Sequence, residues 1–255
     1  MTKVLVIPDL QVKPGVPLKH LDWIGKFIVD KKPDYIVQIG DFADMPSLSS
    51  YDVGKKSFEG RRYRDDVKSV FDAQVILFNE LNTLQRKQRK NKEKIYNPCK
   101  ILTLGNHEDR ILRAINNDPK LDGTISLDDL RFNDFGWKVV PFLEVEEVNG
   151  VCFSHYFTSG VAGRPVTSPN ALITKKHVSC VMGHVQQDGI ASQYTGQGKR
   201  ITGIFAGGCY LHEEDYLGPQ GNVHWRGVWM LHDVENGEFE PMQVSLKYLE
   251  ERYGR

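Results

Sequence analysis

The chain has 255 residues, of which 40% are hydrophobic and 26% charged, and its formal net charge is zero. These values are typical of a globular protein with a buried core, and they give no overall field that would attract nucleic acid or an anionic membrane. The N-terminal apolar run is too short for a signal peptide, and no run approaches the ~20 residues that span a bilayer. The four cysteines form no CxxC motif, which is consistent with free thiols in a reducing compartment. We therefore expect a soluble, cytoplasmic protein without a membrane partner.

The first half of the chain predicts alternating strands and helices. The runs KVLVIPD and DYIVQIGD predict strands, and the apolar spacing between 18 and 28 predicts a helix that joins them. A strand–helix–strand unit of this size indicates a parallel, buried sheet. The irregular segment 45–64 predicts a long loop, which in a compact domain is usually functional or mobile. Residues 64–90 then predict a long amphipathic helix, ILTLGNH predicts a third strand, and 108–117 predict another helix.

The second half predicts mostly antiparallel β-structure. An Asn-Gly dipeptide at 149–150 lies between β-rich runs, which is a hairpin signal, and a second hairpin is predicted to turn at 235–237. Two further strands are predicted in HVSCVMGH and RITGIFAGGCY. Because no linker, repeat or low-complexity tract interrupts the chain, we expect a single domain over residues 1–255. The predicted fold class is α/β.

The polar residues that end the apolar runs form a common pattern. Five such runs each end in a residue that can bind a metal ion, namely Asp9, Asp41, Asn106, His155 and His184. In open α/β sheets, the loops beyond the carboxyl ends of the strands converge on one crevice. Taken singly, each acid or amide could be a cap or turn residue, and each histidine a satisfied core residue. Because all five fall at the same structural position, we favour a shared site for divalent metal ions with mixed oxygen and nitrogen ligands.

These residues resemble the ordered signature of the calcineurin-like metallophosphoesterases, which is D-x-H, G-D-x-x-D, G-N-H-[DE], a lone His, and G-H-x-H. The corresponding stretches here are DLQ from Asp9, GDFAD from Gly40, GNHE from Gly105, His155, and GHVQ from Gly183. The resemblance implies a four-layer αββα sandwich and a metal-dependent phosphoesterase with two divalent metal ions. The stretches GNHEDRIL, GCYLHEEDYLGP and NVHWRGVWMLHDV further resemble the phage- and prophage-encoded branch of that family.

The resemblance also implies a role for each residue of the signature. Asp41 would bridge both ions, and His107, oriented by Asp44, would act on the substrate as acid or charge stabiliser. Besides Asp41, one ion would be held by Asn106, His155 and His184. Besides Asp41, the other ion would be held by Asp9, Gln11 and Gln186. A hydroxide bridging the ions would attack the phosphorus of a phosphate mono- or diester. We expect Mn²⁺ as the metal, with Mg²⁺, Fe²⁺ and Zn²⁺ as alternatives.

The chain departs from the signature at Gln11 and Gln186, where the family has histidine. A glutamine can ligate through its carbonyl oxygen, but it is neutral, weakly basic and harder than imidazole. We therefore expect a firm site at Asp41, Asn106, His155 and His184. The second site, at Asp9, Gln11, Asp41 and Gln186, should be weaker and should prefer Mn²⁺ or Mg²⁺ over Zn²⁺. One alternative is a single-metal or inactive relative of the family. Another, from a different functional class, is a catalytically inactive metal-binding or interaction module.

The substrate is less closely defined by the sequence. The core motifs do not distinguish a phosphomonoesterase from a phosphodiesterase or a nuclease, so a phosphate ester and a nucleic acid both stay open as partners. Arg110 could contact phosphate or form a surface ion pair, with equal support for each. For Arg61, Arg62 and Arg64 a solvated helix start is favoured over phosphate binding. The basic run at 85–94 is likewise favoured as a solvated helix end over a nucleic-acid contact. The oligomeric state is left open.

Overall fold

Residues 2–214 and 217–254 are described by the computed structural model, and within them the chain forms two mixed β-sheets with helices on their outer faces. The strands are β1 (Thr2–Ile7), β2 (Tyr35–Gln38), β3 (Cys99–Thr103), β4 (Trp137–Val140), β5 (Glu146–Val148), β6 (Val151–Phe153), β7 (Ser179–Met182), β8 (Asp188–Tyr194), β9 (Arg200–Ala206), β10 (Gly227–Glu235) and β11 (Glu238–Ser245). The helices are α1 (Lys19–Lys31), α2 (Tyr63–Lys90), α3 (Arg110–Asn117), α4 (Pro169–Lys176), α5 (Gly218–Gly221) and α6 (Leu246–Tyr253).

The two sheets differ in how their strands are paired. The first has the order β11-β10-β1-β2-β3-β4, with β1 to β4 parallel and the β10–β11 hairpin antiparallel. The second has the order β5-β6-β7-β9-β8, in which β6, β7 and β9 are parallel and the two outer strands are antiparallel. Parallel strands with buried faces need helical crossovers, and the longest helices, α1 and α2, supply them in the first sheet.

Alternate residues of β1 face different layers of the molecule. Val4 belongs to the apolar cluster between the two sheets, together with Val181 of the second sheet. Leu5 belongs instead to a cluster with Ile24 of α1 and Leu77 of α2, on the outer face of the first sheet. A third cluster lies between α4 and the outer face of the second sheet. Each fully buried aliphatic side chain contributes about 1.5–3 kcal/mol relative to exposure. The four layers are therefore α, β, β and α, and the predicted fold class is confirmed.

Most of the predicted elements are present. The strands and helices of the first half occur in the expected order, and segment 45–64 is a loop with two short 3₁₀ turns at Pro46–Leu48 and Lys56–Phe58. The hairpins at 149–150 and 235–237 join β5 to β6 and β10 to β11. The basic side chains at the end of α2 are exposed. The prediction of a single domain stays a prediction. Among the described helices, none is both long and apolar enough to cross a membrane.

The prediction of mostly antiparallel pairing in the second half holds for β5–β6, β8–β9 and β10–β11, but it missed the parallel pairs β6–β7 and β7–β9. The centre of the second sheet is parallel because α4, only eight residues long, carries the chain back between β6 and β7. Strand β8 was also missed. It pairs with β9 along its whole length, but its sequence DGIASQY alternates between exposed and half-exposed positions and lacks a continuous apolar run. Such an edge strand is held by backbone pairing more than by burial.

Candidate functional site

The loops that follow β1, β2 and β3 meet at one edge of the first sheet. The three strands are parallel neighbours, with Ile7 opposite Gln38 and Gln38 opposite Leu102. After β1 the chain runs beside the loop after β2, because the N–H groups of Leu10 and Gln11 donate to the carbonyl oxygen of Asp41 at 3.0 and 2.9 Å. The loops after β6 and β7 reach the same place from the second sheet. All five strand-end residues singled out in the sequence thus lie in one region, namely Asp9, Asp41, Asn106, His155 and His184.

Four ligand-capable side chains form a tight group in this region. The amide oxygen of Asn106 lies 3.0 Å from Nε2 of His155 and 2.8 Å from Nδ1 of His184. Oδ2 of Asp41 lies 3.4 Å from Nε2 of His155. Suitable atoms of Asp41, His155 and His184 all fall within 4.8 Å of one another. Side chains from four different loops therefore converge on one small volume.

The orientation of these side chains fits a bound cation. Nδ1 of His155 donates to the carbonyl oxygen of Ile39 at 2.9 Å, which leaves the lone pair of Nε2 facing Asp41 and Asn106. Those two residues present only acceptor oxygens there, so the group crowds several lone pairs together. A cation would turn that repulsion into coordination, and the second hydrogen bond of His155 is the usual way to fix a ligating imidazole.

The charge states of the group point the same way. Burial lowers the pKa of both histidines, that of His184 to about 4, with the neighbouring His155 adding to the effect. Burial opposes ionisation of Asp41, but its interactions with His107 and His155, together with the hydrogen bond from the N–H of His107, outweigh burial and hold the pKa of Asp41 below its usual value. Near pH 7 the imidazoles are neutral and the carboxylate is charged, which are the forms that bind metal.

A second group of polar side chains adjoins the first. Nε2 of Gln11 donates to Oδ2 of Asp41 at 3.2 Å, and Nε2 of Gln186 donates to Oδ2 of Asp9 at 2.8 Å. The backbone N–H of His184 also faces the carboxylate of Asp9, at 3.2 Å from both oxygens. Burial, together with the negative charge of Asp41, raises the pKa of Asp9 well above its usual value.

Each of the two glutamines has an unsatisfied hydrogen-bond acceptor. Oε1 of Gln11 and Oε1 of Gln186 are buried, and neither has a hydrogen-bond partner among the described residues. An unpartnered buried acceptor costs about 1–3 kcal/mol. Because the oxygen and nitrogen of an amide can exchange places by rotation, either carbonyl oxygen can turn toward the neighbouring carboxylates if a cation lies between them. The donor set of Asp9, Gln11, Asp41 and Gln186 therefore fits a hard, oxygen-coordinated ion.

Backbone strain is concentrated at the same place. Gln11, Asp41, His184 and Gln186 have φ values of 47°, 49°, 67° and 64°, in the left-handed region that side-chain-bearing residues rarely adopt. Such conformations cost on the order of 1–3 kcal/mol each and persist where the surrounding structure holds them. All four strained positions therefore carry side chains that belong to the two groups of ligand-capable residues.

A histidine and an aspartate stand beside the group of ligand-capable residues. Nδ1 of His107 lies 2.8 Å from Oδ1 of Asp44, and Nε2 of His107 lies 3.8 Å from Oδ2 of Asp41. Burial disfavours the charged imidazole, but Asp41 and Asp44 outweigh burial and raise the pKa of His107. The terminal NH2 group of Arg110 approaches Nε2 at 3.2 Å. His107 is therefore fixed at one nitrogen and presents the other toward Asp41 and Arg110.

The comparisons with known proteins give only remote similarities. Neither a protein-family model nor a curated protein matches the chain. Among solved structures, it is similar to the phosphoesterase YfcE from E. coli, with 11% identity, a TM-score of 0.39, and coverage of 96% of this chain and 100% of that one. It is also similar to a predicted phosphoesterase from Streptococcus pneumoniae TIGR4, with 9% identity, a TM-score of 0.33, and coverage of 96% and 99%. At these values neither similarity assigns a family or an activity to this chain.

Glu108 supports the site, although no separate role was predicted for it from its motif. Its buried carboxylate accepts hydrogen bonds from the backbone N–H groups of Asp41, Ala43 and Gly105, at 3.1, 2.7 and 2.7 Å. Burial and the nearby charge of Asp41 raise the pKa of Glu108 to about 7. One side chain thus ties the loop after β2 to the loop after β3. The position of Glu108 directly after Gly-Asn-His is the sequence feature that could have indicated this supporting role.

A cleft of about 1020 Å³ opens from the site toward segment 45–64, whose exposed Tyr51 forms part of the wall. The basic side chains that line it are Lys13, Lys55, Arg61, Arg62 and Arg110. Lys55 and Arg61 both pair with Asp52, at 2.9 and 2.8 Å. Lys13 and Arg110 both pair with Asp44, at 3.0 and 3.3 Å. Most of the positive charge in the cleft is therefore already neutralised.

Arg110 forms an ion pair with Asp44 inside the cleft, and its expected contact with phosphate stays a prediction. Its side chain is only 12% exposed, and NH1 donates to the carbonyl oxygen of Asp44 at 2.8 Å as well as to the carboxylate. Arg64 matches the expected solvated helix start, because its side chain is 86% exposed and its nearest acid is Asp65 at 3.6 Å.

Proposed function

We propose that this protein is a metal-dependent phosphoesterase. The observation that carries the proposal is the convergence of Asp41, Asn106, His155 and His184 on one volume beside the His107–Asp44 pair. A cluster of neutral imidazoles and oxygens suits divalent cations, and a fixed imidazole at its edge suits proton transfer. Hydrolysis of a phosphate ester needs both features in one place. The phage-type branch suggested by the sequence stays a prediction.

The residues divide the proposed metal centre into two unequal halves. Asn106, His155 and His184, with Asp41, would hold one ion, and Asp9, Gln11 and Gln186, with Asp41, would hold the other. When bound, the ions polarise the phosphate and lower the pKa of a water nucleophile. The first half offers imidazole nitrogens and should bind tightly. The second offers only oxygens, so we expect weaker binding there and a preference for Mn²⁺ or Mg²⁺ over Zn²⁺.

His107 would assist departure of the leaving group. Asp44 accepts a hydrogen bond from Nδ1 of His107, so Nε2 is the atom free to donate a proton to the leaving oxygen. In the absence of substrate, Arg110 occupies that position, with NH2 3.2 Å from Nε2. A phosphate entering the cleft would attract the guanidinium toward its non-bridging oxygens, and Nε2, no longer accepting from Arg110, would take up a proton from water that it could then donate to the leaving oxygen.

The charge of the cleft favours a compact phosphate ester over a polynucleotide. A nuclease holds its substrate backbone by basic side chains that are free to neutralise phosphates. Here Lys13, Lys55, Arg61 and Arg110 are each paired with a carboxylate within the cleft. We therefore place phosphate monoesters and small diesters ahead of DNA or RNA as substrates. Hydrolysis of p-nitrophenyl phosphate, bis-p-nitrophenyl phosphate and a single-stranded oligonucleotide, each with Mn²⁺, would rank the three classes.

The decisive experiment replaces His107. With Mn²⁺ present and phenyl phosphate, whose leaving group needs a proton, as substrate, His107→Ala should lower kcat by about 10²–10⁴-fold, the usual contribution of a general acid. Metal affinity, measured by calorimetric titration, should be retained because His107 is not among the proposed ligands. His232→Ala, on β10 away from the site, is the matched control and should leave the rate unchanged. Wild-type protein that hydrolyses no phosphate ester with any of Mn²⁺, Mg²⁺, Fe²⁺ or Zn²⁺ would refute the enzyme and favour a metal-binding module.

A further inference from the structure

A chain of charged side chains extends from the His107–Asp44 pair to the far side of the cleft. The ammonium of Lys13 lies 3.0 Å from Oδ2 of Asp44 and 2.6 Å from Oε2 of Glu214. The other oxygen of Glu214 lies 2.7 Å from Nε2 of His212. The side chains of Asp44 and Glu214 are only 9% and 3% exposed. Two nearly buried carboxylates therefore share one lysine.

The backbone places Lys13 beside Asp44. The segment after β1 pairs with the segment after β2 through a parallel bridge between Val12 and Ala43. Within this pairing, the N–H of Asp44 donates to the carbonyl oxygen of Val12 at 2.9 Å. Lys13 follows directly, so its side chain starts next to the carboxylate that it contacts.

The backbone of Glu214 is fixed by hydrogen bonds of its own. Its N–H donates to Oδ1 of Asn222 at 2.8 Å, and Nδ2 of Asn222 returns a bond to the carbonyl oxygen of Glu214 at 2.9 Å. Upstream, the N–H of Cys209 donates to the carbonyl oxygen of Asp9 at 2.7 Å, which anchors the same stretch of chain to the site. The carboxylate of Glu214 is thus presented to Lys13 by a fixed backbone.

This arrangement has a specific consequence for Asp44. Oδ1 of Asp44 faces His107, while Oδ2 is held by Lys13, so the plane of the carboxylate is fixed at both ends. Without Lys13, the carboxylate of Asp44 would be held at Oδ1 alone, by His107 and Arg110, so its plane could turn, and Glu214 would be left as a buried charge without its cation. The orientation of the imidazole depends on the orientation of this carboxylate.

We propose that Lys13 and Glu214 are positioning residues that hold Asp44, and through it His107, in the orientation needed to protonate the leaving group. The inference rests on the proposed phosphoesterase function. Neither residue is assigned a contact with the reacting ester. Lys13 acts through its contact with Asp44, and Glu214 acts by fixing the ammonium of Lys13. The contact joins residues that are 201 positions apart in the chain. It connects the loop after β1 to the segment after β9.

The test compares esters with good and poor leaving groups. A nitrophenolate departs without a proton, whereas a phenolate or alkoxide needs one, so loss of proton donation is felt only with the poor leaving group. Lys13→Met should lower kcat for phenyl phosphate about 10- to 100-fold, with KM nearly unchanged, and should lower kcat for p-nitrophenyl phosphate less than about 3-fold. Lys13→Arg should restore most of the rate. Lys19→Met, which removes a lysine that is paired with Glu250 at 2.9 Å outside the cleft, is the matched control and should affect neither ester.

Glu214→Gln tests the contact between Lys13 and Glu214 with a smaller change in side-chain shape. This variant also provides the test if Lys13→Met does not fold. It should reduce kcat for phenyl phosphate by a smaller factor, and the double variant should lose no more than Lys13→Met alone. Equal losses on both esters, or no loss in either variant, would overturn the inference.

A readout independent of catalysis separates this inference from the proposed function. In protein labelled with ¹⁵N-histidine, the Nδ1–H proton of His107 should be protected and visible by NMR in the wild type and in Lys13→Arg. It should be lost by exchange in Lys13→Met. If no ester is hydrolysed but this signal behaves as described, the phosphoesterase proposal fails and the positioning of His107 stands. If the enzyme is active and the signal is unchanged in Lys13→Met, only the positioning proposal fails.

Discussion

Replacing Gly105 by alanine should displace Asp41 by a direct steric clash. A Cβ at position 105 would lie 2.1 Å from Oδ1 of Asp41 and 2.3 Å from its backbone nitrogen, whereas ordinary contacts begin near 3.4 Å. The carboxylate must therefore retreat by roughly 1 Å, a displacement that can cost about 10²-fold in rate. The same oxygen accepts the N–H of His107 at 3.0 Å, so that residue moves with it. Overpacking of this kind costs about 1–3 kcal/mol of stability.

Calorimetric titration with Mn²⁺ and the hydrolysis of p-nitrophenyl phosphate measure this effect, and urea unfolding reports the loss of stability. We expect Gly105→Ala to weaken metal binding and to lower the rate by about 10²-fold. The control is Gly160→Ala, because a Cβ there meets nothing within 4 Å among the described residues and its φ is not in the left-handed region. If Gly105→Ala binds metal within about 3-fold of wild type, Asp41 is not a ligand in the geometry described here.

Three further changes have expected outcomes. Gly183→Ala would bring a Cβ to 2.3 Å from Oδ1 of Asp9, so titration should show loss of the weaker ion and retention of the tighter one. Gln186→His should raise the affinity of that weaker site for Zn²⁺, measured by competition with a chelating dye, because imidazole is the softer ligand; unchanged affinity would mean that position 186 does not ligate. Burial lowers the pKa of His20 to about 3, below its unfolded value near 6.5, so stability is complete above pH 6.5 and falls as the pH drops toward 3. At pH 5 the free energy of unfolding is thereby lowered by about 2 kcal/mol. Urea unfolding of the wild type and of His20→Leu at pH 7 and pH 5 measures this effect, and the decrease between the two pH values should be smaller in His20→Leu by about that amount.

The location of the site could be predicted because parallel strands deliver their carboxyl ends to one edge. Asp9, Asp41 and Asn106 each end an apolar run, and three adjacent parallel strands bring them together. His155 and His184 come from the second sheet, whose parallel centre the sequence did not indicate. They reach the group because β6 and β7 point the same way, which depends on the short helix α4 between them.

The contacts that support the site could not be predicted from sequence pattern. Lys13 and Glu214 meet across 201 positions, and nothing in either local stretch specifies the other. The role of Glu108 depends on three backbone N–H groups, whose directions are set by the left-handed conformation of Asp41 and by the strand register. Periodicity predicts which face of an element is buried, but it does not contain these directions.

A crystal grown with Mn²⁺ and measured at the manganese absorption edge tests the central claim most directly. The account predicts an anomalous peak within coordination distance of Asp41, Asn106, His155 and His184, about 2.0–2.3 Å for such ligands. A weaker peak should lie beside Asp9, Gln11 and Gln186, and it should fade first as the Mn²⁺ concentration is lowered. An anomalous map with no peak among these residues, or with manganese bound elsewhere in the cleft, would contradict the metal centre and the chemistry assigned to it.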